Sequence, residues 1–122
     1  MAFGGDSSSV SSELNGTTAV TRIYANNSAF AAIRTDGSIV TWGSSTYCGD
    51  SSSVSSDLNG TIDVVNIVST ERAFAAIRSD GSVITWGNSS YGGDSSTVSS
   101  DLTGTTGVVD IATTRRAFAV IR

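Results

Sequence analysis

A period of forty-four residues governs what this chain can fold into. The string GDSS recurs from Gly5, Gly49 and Gly93, AFA from Ala29, Ala73 and Ala117, and TWG from Thr41 and Thr85. A repeat of that length is one supersecondary block; alone it cannot bury its apolar faces, and it becomes stable by stacking on neighbours. The chain divides into a two-residue leader and units 3–46, 47–90 and 91–122, read together as one repeat domain spanning 1–122. The first two units agree at about 27 of 44 positions, and the third stops after AFAVIR, without the DGSxxTWG segment of the others.

Each unit holds three short apolar runs and one serine-rich run. Val20 to Tyr24, repeated as Val64 to Val68 and Val108 to Ala112, is rich in β-branched residues and bounded by Gly, Asn and Thr, which predicts a strand. In AFAAIR, Ala29 to Arg34, both alternating sets are largely apolar, as in a strand covered on both faces. The pairs Asp36-Gly37 and Asp80-Gly81 then join it to strands near 38–42 and 82–86 through a tight hairpin, because glycine supplies the positive φ such turns require. The serine-rich run, Asp6 to Gly16, places Val10 and Leu14 four apart, a spacing that suits one face of a helix or of a strand. Its ends favour a helix of one or two turns, with Asp6 or a serine as N-cap and Asn15-Gly16 as the stop; an irregular outer strand is the alternative.

Composition removes several function classes. The chain has no histidine, no proline and no lysine, so its seven basic residues are all arginine. A histidine general base, a Ser-His-Asp or Cys-His nucleophile and a histidine metal site are therefore all missing. The lone Cys48 cannot form an internal disulfide or a CxxC site, and it stands where Gly4 and Gly92 stand in the other units. A net charge of −4 argues against nucleic acid, whose phosphates need clustered cations. The longest apolar runs, such as Ala73 to Ile77, fall far short of a membrane span, and the N-terminus lacks the basic start and apolar stretch of a signal peptide. The expectation is no enzyme, no cofactor, no metal, no nucleic-acid partner and no membrane contact. The sequence assigns no localisation, and an extracellular one fits a piece of a larger exported bacterial protein.

The succession of an apolar AFAAIR strand, a DG turn, a strand ending in Trp42-Gly43 and a Tyr47-containing loop resembles the RCC1-type β-propeller repeat, in a short serine-rich variant like those found in tandem in large bacterial proteins. The resemblance implies a mainly β fold: blades of three-stranded antiparallel meanders, each with a short outer helix or strand, every blade sandwiched between two others. A β-solenoid is the runner-up; Asp-Gly hairpins impose antiparallel neighbours, whereas solenoid coils pair in parallel. Relatives include an exchange factor for a small GTPase and a protein inhibitor of β-lactamase. The unit here is shorter, lacks the usual proline before the outer strand, and has GGDSS for the usual glycine-leucine-glycine loop, so no partner-binding residue of those proteins can be placed on it.

Candidate sites each have a structural reading beside a functional one. Asp6, Asp50 and Asp94 suit helix capping better than calcium, which wants six to eight oxygens from several acidic groups. Asp36, Gly37, Asp80 and Gly81 suit turns. Trp42 and Trp86, with Phe3, Tyr47 and Tyr91 near them in the repeat, are either core residues with the following aromatic packed over the tryptophan, or platforms for sugar rings; core packing is preferred. Phe30, Phe74 and Phe118 mark the same strand position in each unit. Arg34, Arg78 and Arg122 end equivalent strands, where pairing with loop acids is preferred over an anion-attracting ring.

The expected role is a non-enzymatic propeller-type scaffold or binding module, with a regulatory protein-binding or lectin-like glycan-binding propeller as the alternative. Its principal expected partner is itself. Fewer than three complete units cannot close a ring when propellers need at least four blades, and an open stack leaves apolar faces in water. The N-terminal segment of one copy is expected to pack beside Ala117 to Arg122 of another in a head-to-tail ring. Two chains give six blades and three give nine; the dimer is preferred over the trimer.

Overall fold

The structure, a computed structural model, describes residues 10–11, 14, 18–44, 51, 54, 58–93, 95 and 107–121. It is mainly β. Strands β1 (Val20–Ala25), β2 (Ala29–Arg34) and β3 (Ile39–Gly43) form one antiparallel sheet in that order. Strands β4 (Val64–Ser69), β5 (Ala73–Arg78) and β6 (Val83–Gly87) form the second, and β7 (Asp110–Thr113) with β8 (Phe118–Ile121) a two-stranded third. The expected strands are present, with one-residue shifts at half of the ends in the first two units, and with β7 starting at Asp110 rather than Val108. Arg122, the expected end of the last strand, lies outside the described residues.

Register repeats with the sequence. Phe30 pairs with Trp42 and Phe74 with Trp86, while Ile33 pairs with Ile39 and Ile77 with Val83. A bulge falls at the same place in both units, between Val20 and Arg22 and between Val64 and Asn66. Both hairpins close tightly at the glycine. Gly37 N donates to Arg34 O at 2.9 Å and Gly81 N to Arg78 O at 2.9 Å, so the turn centres on Thr35-Asp36 and on Ser79-Asp80. The glycine follows in the left-handed region, at φ +80° and +83°. This is the three-residue hairpin loop with glycine at its bulge position.

The sheets stack face to face in chain order. The even-numbered side of β5, Phe74 and Ala76, with Trp86, Val64 and Ile67, packs on Ala29, Ala31 and Ile33 of the sheet before it, together with Leu58 and partly buried Val54. The opposite side, Ala75 and Ile77 with Val83, packs on Val108, Ile111, Phe118 and Val120 of the sheet after it. Methyl side chains on one partner let bulky aromatic ones on the other approach the backbone closely, as dense packing of two layers requires. Two main-chain bonds fasten the layers at the same register: Val64 N to Gly37 O at 3.1 Å, and Val108 N to Gly81 O at 3.0 Å.

The serine-rich run is described at only a few residues. Leu14 N donates to Val10 O at 3.2 Å and to Ser11 O at 3.3 Å, and Val54 N to Ser51 O at 3.0 Å. These bonds have the three- and four-residue spacing of a helical turn. Val10 and Leu14 do share a face: both pack against the cluster of Ala32, Val40 and Trp42 of the first sheet. The capping aspartates expected from sequence, Asp6, Asp50 and Asp94, lie outside the described residues.

Candidate functional site

Three constellations concentrate polar chemistry or unpartnered surface. The first is the hairpin end of each complete sheet. Arg34 Nε donates to Ser38 Oγ at 2.9 Å, Ser38 Oγ donates to Asp36 Oδ1 at 2.5 Å, and Ser38 N donates to the same oxygen at 3.0 Å. Forty-four residues later Arg78, Ser82 and Asp80 repeat the relay at 2.7, 2.6 and 2.9 Å. The serines are buried and the aspartates exposed. The Ser38 and Ser82 hydroxyls, then their N–H groups, and more weakly the arginines hold both carboxyls below their ordinary value. Arg34 and Arg78 thus each reach the aspartate of their turn through a serine. The sequence carries no signal for this detail, because Ser38 and Ser82 look like ordinary turn residues. The Nε of each arginine and the hydroxyl and N–H of each serine all donate within the turn, which is a structural use of these groups.

The second lies at the opposite end of the sheets. Tyr91 ends a short 3-10 turn, Ser89–Tyr91, capped by the Asn88 side chain. The Arg72 and Arg116 guanidinium carbons lie 5.0 and 5.1 Å from the Tyr91 ring centroid, and Thr70 Oγ1 donates to Tyr91 O at 2.7 Å. Arg115 pairs with Glu71, one repeat earlier. That ion pair holds the Glu71 carboxyl below its usual range. Three arginines, one acid and one half-buried ring therefore tie the β4–β5 turn to the β7–β8 turn. Glutamate and arginine at repeat positions where the first unit has Asn27 and Ser28 are the available sequence signal.

The tryptophans do not contribute to a surface site. Trp86 is 2% exposed and Trp42 is 9% exposed. Their rings lie 5.4 Å from Phe74 and 5.3 Å from Phe30, centroid to centroid. A sugar cannot stack on a ring that neighbouring elements cover. The Tyr91 ring lies beside the guanidinium groups of Arg72 and Arg116. Tyr47, Cys48, Phe3 and Arg122 lie outside the described residues.

The third constellation is the pair of outermost apolar faces. Ala31 and Ala75 are fully buried, and Ile33 and Ile77 nearly so, whereas their equivalents in β8, Ala119 and Ile121, are exposed, Ile121 by 56%. On the first sheet the reverse face shows the matching defect: Ile23 is 59% exposed, against 2% for Ile67 and 6% for Ile111 at the same repeat position. Val20 is likewise open where Val64 and Val108 are buried.

Among the described residues, no three His, Cys, Asp or Glu side chains gather to hold a metal ion. No helix of those residues is long and apolar enough to cross a membrane. No protein-family model matches the chain, and no curated protein matches it significantly.

Proposed function

We propose that the chain is a non-enzymatic scaffold: a propeller-type repeat module of the RCC1 kind whose units stack into a homo-oligomeric ring. The observation that carries this reading is the pair of unmatched end faces. One carries Ala119 and Ile121, the other Val20 and Ile23, and inside the chain the same repeat positions close on one another at both sheet-to-sheet contacts. A surface that has twice been covered by its own repeat partner is self-complementary in the head-to-tail sense that closes rings.

Mass in solution tests the scaffold reading. Light scattering on the full chain at micromolar concentration is expected to give two chains, or three. A stable monomer overturns it. The cluster of Arg72, Arg115, Arg116 and Tyr91 favours, as a second reading, a module that also holds a protein or glycan ligand at that end. A glycan array and a pull-down from a source lysate test that use, and binding lost on Tyr91→Ala with the oligomer intact supports it.

A further inference from the structure

We infer that the contact between two copies is keyed by an ion pair: Asp110 on β7 of one copy meets Arg22 on β1 of the next. The inference rests on the scaffold reading and deepens it, by naming what fixes the polarity of the assembly.

The three units carry Arg22, Asn66 and Asp110 at one repeat position on their first strands. These strands neighbour one another in the order β1, β4, β7. The first contact shows how that position is used. Arg22 Nη1 donates to Tyr24 OH at 3.3 Å, and Tyr24 OH donates to Asn66 Oδ1 at 3.1 Å, so a polar run crosses from β1 to β4. At the second contact Val68 occupies the tyrosine position and Asn66 is followed by Asp110. Within the chain, then, a neutral residue always lies between the cation and the anion.

A head-to-tail contact between copies continues the order as β1, β4, β7, β1. It brings Arg22 of the incoming copy into the place that Asn66 takes beside β1 and that Asp110 takes beside β4. Asp110 and Arg22 are both exposed. Ala112 stands where Tyr24 stands in the first contact, which leaves room for an arginine, longer than Asn66, to extend toward the carboxylate. The apolar components match as well: Val20 and Ile23 are the open equivalents of residues that pack on Ala31 and Ala75, and Ala119 is the open equivalent of those alanines. At the opposite end of the sheets Arg115 and Arg116 are followed by Asn27 and Ser28, so the contact gathers no like charges there. In a head-to-head arrangement Arg22 faces Arg22, or Asp110 faces Asp110, and like charges in an interface oppose association. Opposite charge at the open contact, with a neutral residue at both closed ones, singles out a second copy of this chain as the occupant.

The test uses the full chain and two charge reversals, Asp110→Arg and Arg22→Asp, with circular dichroism to establish that each remains folded. Alone, each variant carries like charges at every contact and is expected to assemble at least about tenfold more weakly than wild type at low salt. Mixed in equal amounts, the two variants alternate in the preferred two-chain ring. The arginine introduced in one then meets the aspartate introduced in the other, and the unaltered Asp110 and Arg22 meet at the next contact. The mixture is expected to regain wild-type mass as a one-to-one complex. Variants that assemble alone as well as wild type overturn the ion pair and leave the scaffold reading standing. Folded variants that stay apart when mixed also overturn it. A wild-type chain that is itself monomeric overturns both.

Discussion

Phe74 and Trp86 face each other across β5 and β6 in the middle of the stack, 5.4 Å between ring centroids and 33° between ring planes. Their counterparts Phe30 and Trp42 keep nearly the same separation but stack more nearly parallel, at 21°. The inner pair has Ala29, Ala31 and Ile33 of the preceding sheet in its cluster, while the described residues packed on the outer pair from beyond its sheet are Val10 and Leu14.

That difference predicts unequal truncation costs. Trp86→Ala is expected to destabilise the chain by roughly 3–5 kcal/mol, in the range of buried large-to-small changes, and Trp42→Ala by less. Urea melts of the two variants check this, and equal costs would falsify the assignment of Trp86 to the better-packed layer. A double-mutant cycle on Phe74 and Trp86 is expected to give a coupling of about 0.5–1.5 kcal/mol.

Asp80 predicts an acid-side loss of stability. Its carboxyl is held below the ordinary value of 3.8, first by the Ser82 hydroxyl and N–H and then by Arg78. The folded state therefore binds this proton less readily than the unfolded chain. The stabilisation is present in full above about pH 4 and disappears as the pH falls through the folded value. Thermal melts of wild type and Asp80→Asn between about pH 5 and pH 2 are expected to converge at the acid end, where both side chains are uncharged. A gap of constant size across that range would show that the carboxyl does not act through its charge.

Thr85 Oγ1 donates to Ser95 Oγ at 2.8 Å, and Thr41 Oγ1 and Ser51 Oγ lie 2.9 Å apart one unit earlier. Both pairs latch the loop after TWG back onto the strand that precedes it. Thr85→Val keeps the side-chain shape and removes the hydroxyl, and is expected to cost about 1 kcal/mol. Adding Ser95→Ala to that variant is then expected to cost little more, because the bond is already gone. Two additive losses would show that the hydroxyls act separately.

Gly81 follows its turn at φ +83°, and a Cβ built there stands 2.7 Å from Gly107 Cα of the next sheet. Gly81→Ala is expected to lose more than about 1 kcal/mol, combining backbone strain with a clash that neighbouring backbone cannot easily relieve. Gly107→Ala, where the built Cβ has nothing nearer than 4.0 Å, is the matched control. A chemical melt in which the two behave alike would remove the close approach as a cause.

The strands are legible in the sequence because three signals coincide in each unit: β-branched runs, two-sided apolar alternation in AFAAIR, and a glycine where the chain must reverse. The spacing of Val10 and Leu14 also points to one face, and they pack together. Asp36-Gly37 marks a tight hairpin, and the bond from Gly37 N to Arg34 O closes it with Thr35 inside the loop. The Thr–Ser latches are silent, because a hydroxyl ten residues from its partner looks like any other polar loop residue until the loop is folded back. Tyr91 reads as an aromatic packed over the tryptophan, and the arginines beside its ring come from two turns, one of them in the preceding unit. Charges at one repeat position become meaningful only when the order of the sheets is known, so the relation of Arg22 to Asp110 is invisible in a linear reading.

The bonds from Val64 to Gly37 and from Val108 to Gly81 each span 27 residues. The sequence distance over which one layer fastens to the next is therefore constant. A chain lengthened by whole units keeps the same mean contact separation in absolute terms, and the entropy of closing each new loop does not grow with length. Such an array can nucleate at any adjacent pair of units and extend outward. Gene duplication in steps of one unit would change the size of the object without slowing the step by which each layer docks.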